Sequence, residues 1–360
     1  MLKEALGLVE LSMTDFRLFQ ERRFEPAPDG TTILHGPNGC GKTTVLEAAG
    51  LTGSLKSFRG SSSAVMVRTG AERGFVRAEF SHGQRRLTVE VELKRGDAPA
   101  AQLNRRRARR SELLTAIPIT VFTPGDISLI QGAPAERRAY LDDGLALLDP
   151  PGARAAELTE RVLHQRGALL RQAGGRCTPQ TESTLEVWDQ RLHTSGTQLA
   201  ESREALVESL GPFVHEAYRQ TTGAALDVKL SYHRSWEGEL FDALGRRRRE
   251  DLARGITTVG PQRDELVVAL DSRDARTGAS QGEQRCLAVG LRLAVHRMAS
   301  ALLGYPPILL LDDVLSELDP ERSRRLLTGL PTGQALVSTA GETPEWMRVA
   351  TVIEMGPQGS

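Results

Sequence analysis

With 360 residues, 39% of them hydrophobic and 26% charged, the chain is long enough for two packed lobes and too apolar for a disordered segment. Its 46 basic residues balance 46 acidic ones, which argues against a uniformly polybasic nucleic-acid binder and leaves local patches, at Arg105, Arg106, Arg107, Arg109 and Arg110 and at Arg246 to Arg249. No run approaches the ~18 apolar residues of a membrane helix and no signal-like start precedes the first strand, so cytoplasmic residence is expected; the three dispersed cysteines, Cys40, Cys177 and Cys286, suit neither a disulfide framework nor a zinc site.

The opening LGLVELSMTDFRLFQ alternates apolar and polar residues as a half-buried strand does, and TTILHG reads as a second short strand ending in glycine. Directly after it stands GPNGCGKT, Gly36, Pro37, Asn38, Gly39, Cys40, Gly41, Lys42 and Thr43, with Thr44 opening a segment of helical spacing. A strand, a glycine-rich loop and a helix in that order form a phosphate-binding loop. Glycines let the backbone curl so that its N–H groups and the helix N-terminus face phosphate oxygens. Lys42 is expected to meet the β- and γ-phosphates of ATP, and the Thr43 hydroxyl to bind Mg²⁺. GFVRAEF and RLTVEVELKR then return to period two and predict a β-ribbon, which makes the first lobe mixed α/β.

From Ala135 to Leu210 apolar residues fall three and four apart, interrupted at AGGRCTPQ; this predicts a helical lobe without a heptad pattern long enough for a coiled-coil arm. Strand-like text resumes at ALDVKLSY and DELVVAL. After the helical EQRCLAVGLRLAVHRMASALLG, PPILLLDD reads as a buried strand carrying Asp312 and Asp313 at its carboxyl end, where ligands of α/β sheets bind. Asp312 is then expected to hold Mg²⁺ and Asp313 to orient an attacking water, unless the pair merely caps the next helix. The expected division is a discontinuous ATPase lobe, residues 1–125 and 255–360, with a mainly helical lobe, 126–254, inserted.

Ser280, Gln281 and Gly282, in SQGEQ before a long helix and about 30 residues ahead of the acidic strand, resemble the signature motif of ABC-type ATPases. SELDP resembles the D-loop of that class, with Ser316 and Asp319 as its polar members. The resemblance implies an ABC-type P-loop ATPase head in which Ser280 meets the γ-phosphate held by a second subunit. ATP would then join an ATP-dependent homodimer.

Within that class DFRLF, LEA, KSFR, TPGDISLIQGAPAERRAYLD and GPQRDEL resemble the RecF family. The resemblance implies a cytoplasmic ATP-dependent switch on double-stranded DNA, gapped or junction-bearing, that serves recombinational gap repair and the SOS response. It implies RecR and RecO as partners and RecA loading as the result. It also places Arg17 close to the nucleotide phosphates and Gln131 near Mg²⁺; the plainer readings are an exposed strand-end charge and a loop hydrogen-bonder. Asp313 stands where most ABC ATPases have Glu, LVSTAGE carries no switch His, Cys40 replaces a common Ser, and Gln262 stands where the family pattern has His. The shorter carboxylate and the missing His make slow hydrolysis expected, with turnover on the order of minutes, while Cys40 and Gln262 bear only on details; the resemblance implies a weak, DNA-dependent ATPase. A truncated SMC protein would need a long coiled coil, a transporter subunit a switch His, and a metabolite kinase would lack the signature string.

Overall fold

The computed structural model describes residues 5–314, 319–328, 333–341 and 347–356. In chain order the first elements are β1 (Leu6–Phe16), β2 (Phe19–Phe24), β3 (Thr31–His35), α1 (Lys42–Ser54), α2 (Ser63–Met66), β4 (Arg73–His82), β5 (Arg85–Lys94), β6 (Ala100–Leu103), β7 (Arg106–Ala108), α3 (Arg110–Ala116) and β8 (Ile119–Phe122). They are followed by α4 (Ser128–Gln131), α5 (Pro134–Leu148), α6 (Pro150–Ala173), α7 (Pro179–Thr222), β9 (Val228–His233), α8 (Leu240–Arg254), β10 (Glu265–Leu270), β11 (Arg273–Asp274) and α9 (Ala275–Gly278). The last are α10 (Gln281–Leu303), β12 (Ile308–Asp312), α11 (Pro320–Thr328), β13 (Ala335–Thr339) and β14 (Val349–Glu354). The chain divides into two compact units, Met1–Asp126 with Glu216–Ala225 and Arg285–Ser360, and Ile127–His215 with Leu226–Gln284.

The first unit holds an antiparallel sheet of order β2-β1-β4-β5-β6-β7 and a parallel sheet of order β14-β3-β13-β12-β8. Strict alternation makes β4 a one-sided strand: Val76, Ala78 and Phe80 are buried while Arg73, Phe75 and Arg77 face outward. The opening string expected as one strand is a hairpin, because Arg17 takes a left-handed φ of 55° and turns β1 into β2. β12 is buried at all five positions, the pattern of a central parallel strand covered on both faces. Leu46 and Leu51 of α1 share a core with Leu310 and Leu336, which fixes α1 against the parallel sheet. Among the described residues α10 alone is long and apolar enough to cross a membrane by length and composition. Its Leu287, Leu291 and Ala294 are buried and its Leu293 packs with Leu309, Leu311 and Val337, as in a core helix.

The second unit packs Val162 of α6 and Leu192 and Ala200 of α7 against Trp236, Leu240, Leu244 and Val259. Arg166, wholly buried, donates to Asp189 (2.7 Å), Asp251 (2.7 Å) and Thr257 (2.8 Å), so one guanidinium ties α6 to α7 and α8. The unit runs to residue 284, beyond the boundary expected at 254. DELVVAL has the period of a strand, but β10 pairs antiparallel with β9, Val267 opposite Ser231, and so lies outside the parallel sheet. Glu216–Ala225, the end of α7, belongs conversely to the first unit.

Candidate nucleotide site

The phosphate-loop string connects β3 to α1, and the strand order β3-β13-β12 leaves one strand between that loop and the acidic end of β12. Both sequence motifs thus emerge at carboxyl ends of parallel strands. Two glycines are fixed by their surroundings. A Cβ at Gly36 would stand 2.3 Å from the Met355 carbonyl oxygen, and one at Gly41, whose φ is 104°, would stand 2.6 Å from the Phe19 ring. At Gly39 nothing lies within 4 Å of the Cβ position, so that side of the loop is open. Gly41 is the N-cap of α1, whose first N–H groups have no acceptor within the helix.

Lys42 is buried, and its ammonium donates to the carbonyls of Gly36 (2.6 Å) and Pro37 (2.9 Å). It makes no ion pair with any described residue. Thr43 Oγ1 donates to Asp312 Oδ1 at 2.8 Å, Ser338 Oγ donates to the same oxygen at 2.8 Å, and the Asp313 N–H donates to Ser338 Oγ at 3.0 Å. Burial pushes the Asp312 carboxyl above its ordinary range; the Thr43 and Ser338 hydroxyls and the Arg59 charge pull it down, and Asp313 pushes it up. Asp313 itself has a left-handed φ of 49°. A hydroxyl and a carboxylate oxygen side by side are hard oxygen donors of the kind Mg²⁺ takes, and the open side of the loop at Gly39 leaves room for phosphate. A cleft of about 430 Å³ beside Cys40, lined by Phe19, Arg22, Phe24 and Met355, adjoins the loop.

Ser338 is a residue that sequence reasoning missed. The family pattern puts a histidine near LVSTAGE; the available signal was the pair of hydroxyls, Ser338 and Thr339, that ends an apolar run, since β13 is buried at every position and a buried polar group needs a partner. Glu47 was missed as well. Arg17 Nε donates to Glu47 Oε2 (2.8 Å), and its Nη2 donates to Glu47 Oε1 (2.6 Å) and Ser61 Oγ (2.6 Å), while Ser57 Oγ also bonds Glu47. Arg17, in the β1–β2 turn, is therefore a largely buried cation held by Glu47 of α1 and not an exposed strand-end charge.

The signature string lies in the second unit. The Ser280 N–H donates to Glu283 Oε2 (2.7 Å) and the Glu283 N–H to Ser280 Oγ (3.4 Å), a reciprocal cap at the start of α10. Ser280 and Gln281 are exposed and Gly282 half-buried. Gln131 Nε2 donates to Gln284 Oε1 (2.7 Å), and Gln284 Nε2 to the carbonyls of Ala275 and Arg276, so Gln131 joins the signature segment while Thr43 and Asp312 meet in the first unit. Asp319 accepts from the Arg322 N–H at 3.0 Å and caps α11; Ser316 lies outside the described residues.

The profile of the RecF/RecN/SMC N terminal domain matches residues 7–343. The DNA replication and repair protein RecF of Streptomyces avermitilis is 39% identical, covering 93% of this chain and 93% of its own. That of Kineococcus radiotolerans is 37% identical, with 93% of each chain covered. Among solved structures, the recombination mediator protein RecF with ATP in the RecFOR pathway aligns at a TM-score of 0.86 and 25% identity over 95% of this chain and 94% of that one. An Smc head domain from Pyrococcus furiosus, at a TM-score of 0.52 and 18% identity over 93% of this chain and 90% of that one, shares the fold.

Proposed function

The chain belongs to the RecF family, and from that premise we propose that it is an ATP-dependent DNA-binding switch of recombinational gap repair. The observation that carries the reading is the convergence of Thr43, Asp312 and Ser338 at the mouth of the glycine loop. Lys42, bonded to carbonyls alone, turns its charge to the β- and γ-phosphates. Thr43 and Asp312 would hold Mg²⁺, which would supply positive charge against the phosphate oxygens. Asp313, on a backbone pinned by Ser338, accepts a proton from and aims the attacking water. Arg17, in the β1–β2 turn, is held by Glu47 of α1. Gln131 as a further metal-side group rests on the family resemblance.

Ser280 and the exposed first turn of α10 meet the γ-phosphate bound by a second subunit, so two ATP molecules close a homodimer. The closed dimer holds duplex DNA, gapped or with a junction, through its phosphates; binding is salt-dependent and weakly sequence-specific. DNA stimulates a weak hydrolysis that reopens it. RecR and RecO are its partners, RecA loading is the outcome, and the site of action is the cytoplasm.

The test is sedimentation of the wild type and of Ser280→Arg with ATP, with ADP and without nucleotide, each with and without duplex DNA. The wild type should dimerise only with ATP, and Ser280→Arg should bind ATP at near-normal affinity yet stay monomeric and release DNA. An ATP-dependent dimer of normal strength from Ser280→Arg would sink the signature assignment and the switch with it.

A further inference from the structure

We infer that the arginine hairpin β6–β7, and not the arginine run on α8, is the surface that grips the duplex phosphate backbone; the inference rests on the DNA-binding reading above. The two runs look alike in sequence but differ in what surrounds them. On α8, Arg247 pairs with Glu250 (2.7 Å), Arg248 pairs with Asp189 (2.8 Å) and Glu182 (3.3 Å), and the exposed Arg246 donates to the Glu237 carbonyl (3.3 Å), so two of the four charges of that run are answered by carboxylates within the fold. On the hairpin, Arg105, Arg106 and Arg107 are exposed, as is Arg109 just beyond it at the N-cap of α3, and none of the four makes an ion pair with any described residue. Arg85 opens β5 at the same end of the sheet, beside Arg86, which pairs loosely with Glu79 (3.8 Å); there the Asn104 N–H donates to the Thr88 carbonyl (2.8 Å) and the Thr88 N–H to Asn104 Oδ1 (2.9 Å). Guanidinium groups bonded to no carboxylate are available for bidentate bonds to phosphate.

The turn itself adds an independent argument. Asn104 and Arg105 have φ of 50° and 66°, the two left-handed positions of a type I′ hairpin, where the second residue is ordinarily glycine. Charged residues on β7 have another use, because β7 is an edge strand and charge keeps edges from pairing. That use does not reach the turn, which offers no ladder hydrogen bonds to a second sheet. An arginine in a strained turn position at the tip of an exposed hairpin is a local conflict of the sort found at binding surfaces.

The experiment titrates the full chain, with ATP and Mg²⁺, against a fluorescently labelled duplex of arbitrary sequence across a salt series. The variants are Arg105→Gly/Arg106→Gln/Arg107→Gln, Arg105→Gly alone, and Arg246→Gln/Arg247→Gln on α8. The triple variant should lose on the order of tenfold in affinity, and the slope of log K against log salt should shrink by about 0.9 for each contact removed. Arg105→Gly should bind more weakly yet melt about 2 °C higher, since glycine relieves the turn; loss of binding with gain of stability is a pair of effects that unfolding does not produce. The α8 variant should keep the wild-type slope. A triple variant that binds like the wild type, or that self-associates with an unchanged slope, overturns the inference in favour of an edge guard. A wild type that shows no ATP-dependent DNA binding at low salt overturns the underlying reading as well, and the two failures are told apart by that control.

Discussion

Two buried cations, one in each unit, are treated in opposite ways. Arg166 is enclosed with two carboxylates and a threonine hydroxyl at 2.7–2.8 Å, its charge cancelled inside the fold. Lys42 is nearly as deep but faces two carbonyls and no carboxylate. A charge paired internally holds helices together, whereas a charge supported by dipoles alone keeps its attraction for an anion from outside. His296, equally buried, follows a third course: burial lowers its pKa to about 4, Arg297 adds to the effect, and the neutral ring bonds Thr120 at 2.7 Å.

The contrast predicts which replacements act on the fold and which on the ligand. Asp251→Ala strips Arg166 of one partner, leaves part of a buried charge unanswered, and should cost about 3–5 kcal/mol of stability, read in denaturant unfolding of the second unit. A variant that unfolds at the wild-type denaturant concentration would show that the pair is not holding α6 to α8. Lys42→Met should do the reverse, weakening ATP binding by about 3 kcal/mol, on the order of 100-fold, while the thermal melt stays within a degree or two. Equilibrium nucleotide titration checks it, and unchanged affinity would remove Lys42 from the phosphate site. Asp313→Asn should leave ATP affinity intact and slow single-turnover hydrolysis on the order of 100-fold, and on the proposed switch it should also prolong DNA binding with ATP; hydrolysis at the wild-type rate would mean that another group aims the water.

The smallest effect belongs to His296. Its folded pKa of about 4 lies below the unfolded value near 6.5, so the unfolded chain binds more protons between those values and stability rises with pH across that window. Lowering the pH from 7 to 5 should therefore remove about 2 kcal/mol through this residue, and His296→Gln should flatten that part of the pH–stability curve. A curve of identical slope in the variant would show that the ring is already charged, or already wet, in the fold.

What could be read from the sequence was what local order dictates. The glycine loop, the acidic strand and each strand of the β-ribbon declare themselves in ten residues or fewer, because a loop that must wrap phosphate and a strand buried on both faces leave little freedom of composition. Partners across the chain were not legible. The alternation of DELVVAL reveals a strand but not that β9 is its neighbour, so the second unit is longer than expected. Arg17 carried no sign that Glu47, thirty residues on in the same core, would hold it, and Ser338 reaches the acidic pair only through the strand order β3-β13-β12. Nor did the two arginine runs differ until their neighbours were known.

Ser338 has a consequence for how many ligand positions the protein can offer a cation. A carboxylate oxygen has two lone pairs, and those of Asp312 Oδ1 are both directed at hydroxyl protons, from Thr43 and from Ser338. While those bonds last, what remains toward a metal is Oδ2 of Asp312 and the lone pairs of a threonine oxygen whose proton is already committed. Two such donors fill a minor part of an octahedron and leave the rest to water and phosphate. A small cation that parts reluctantly with its water would be at home there; a larger one that wants six to eight oxygens from its host would be left underdressed. Selectivity for magnesium over calcium would thus come from a serine that never touches the ion.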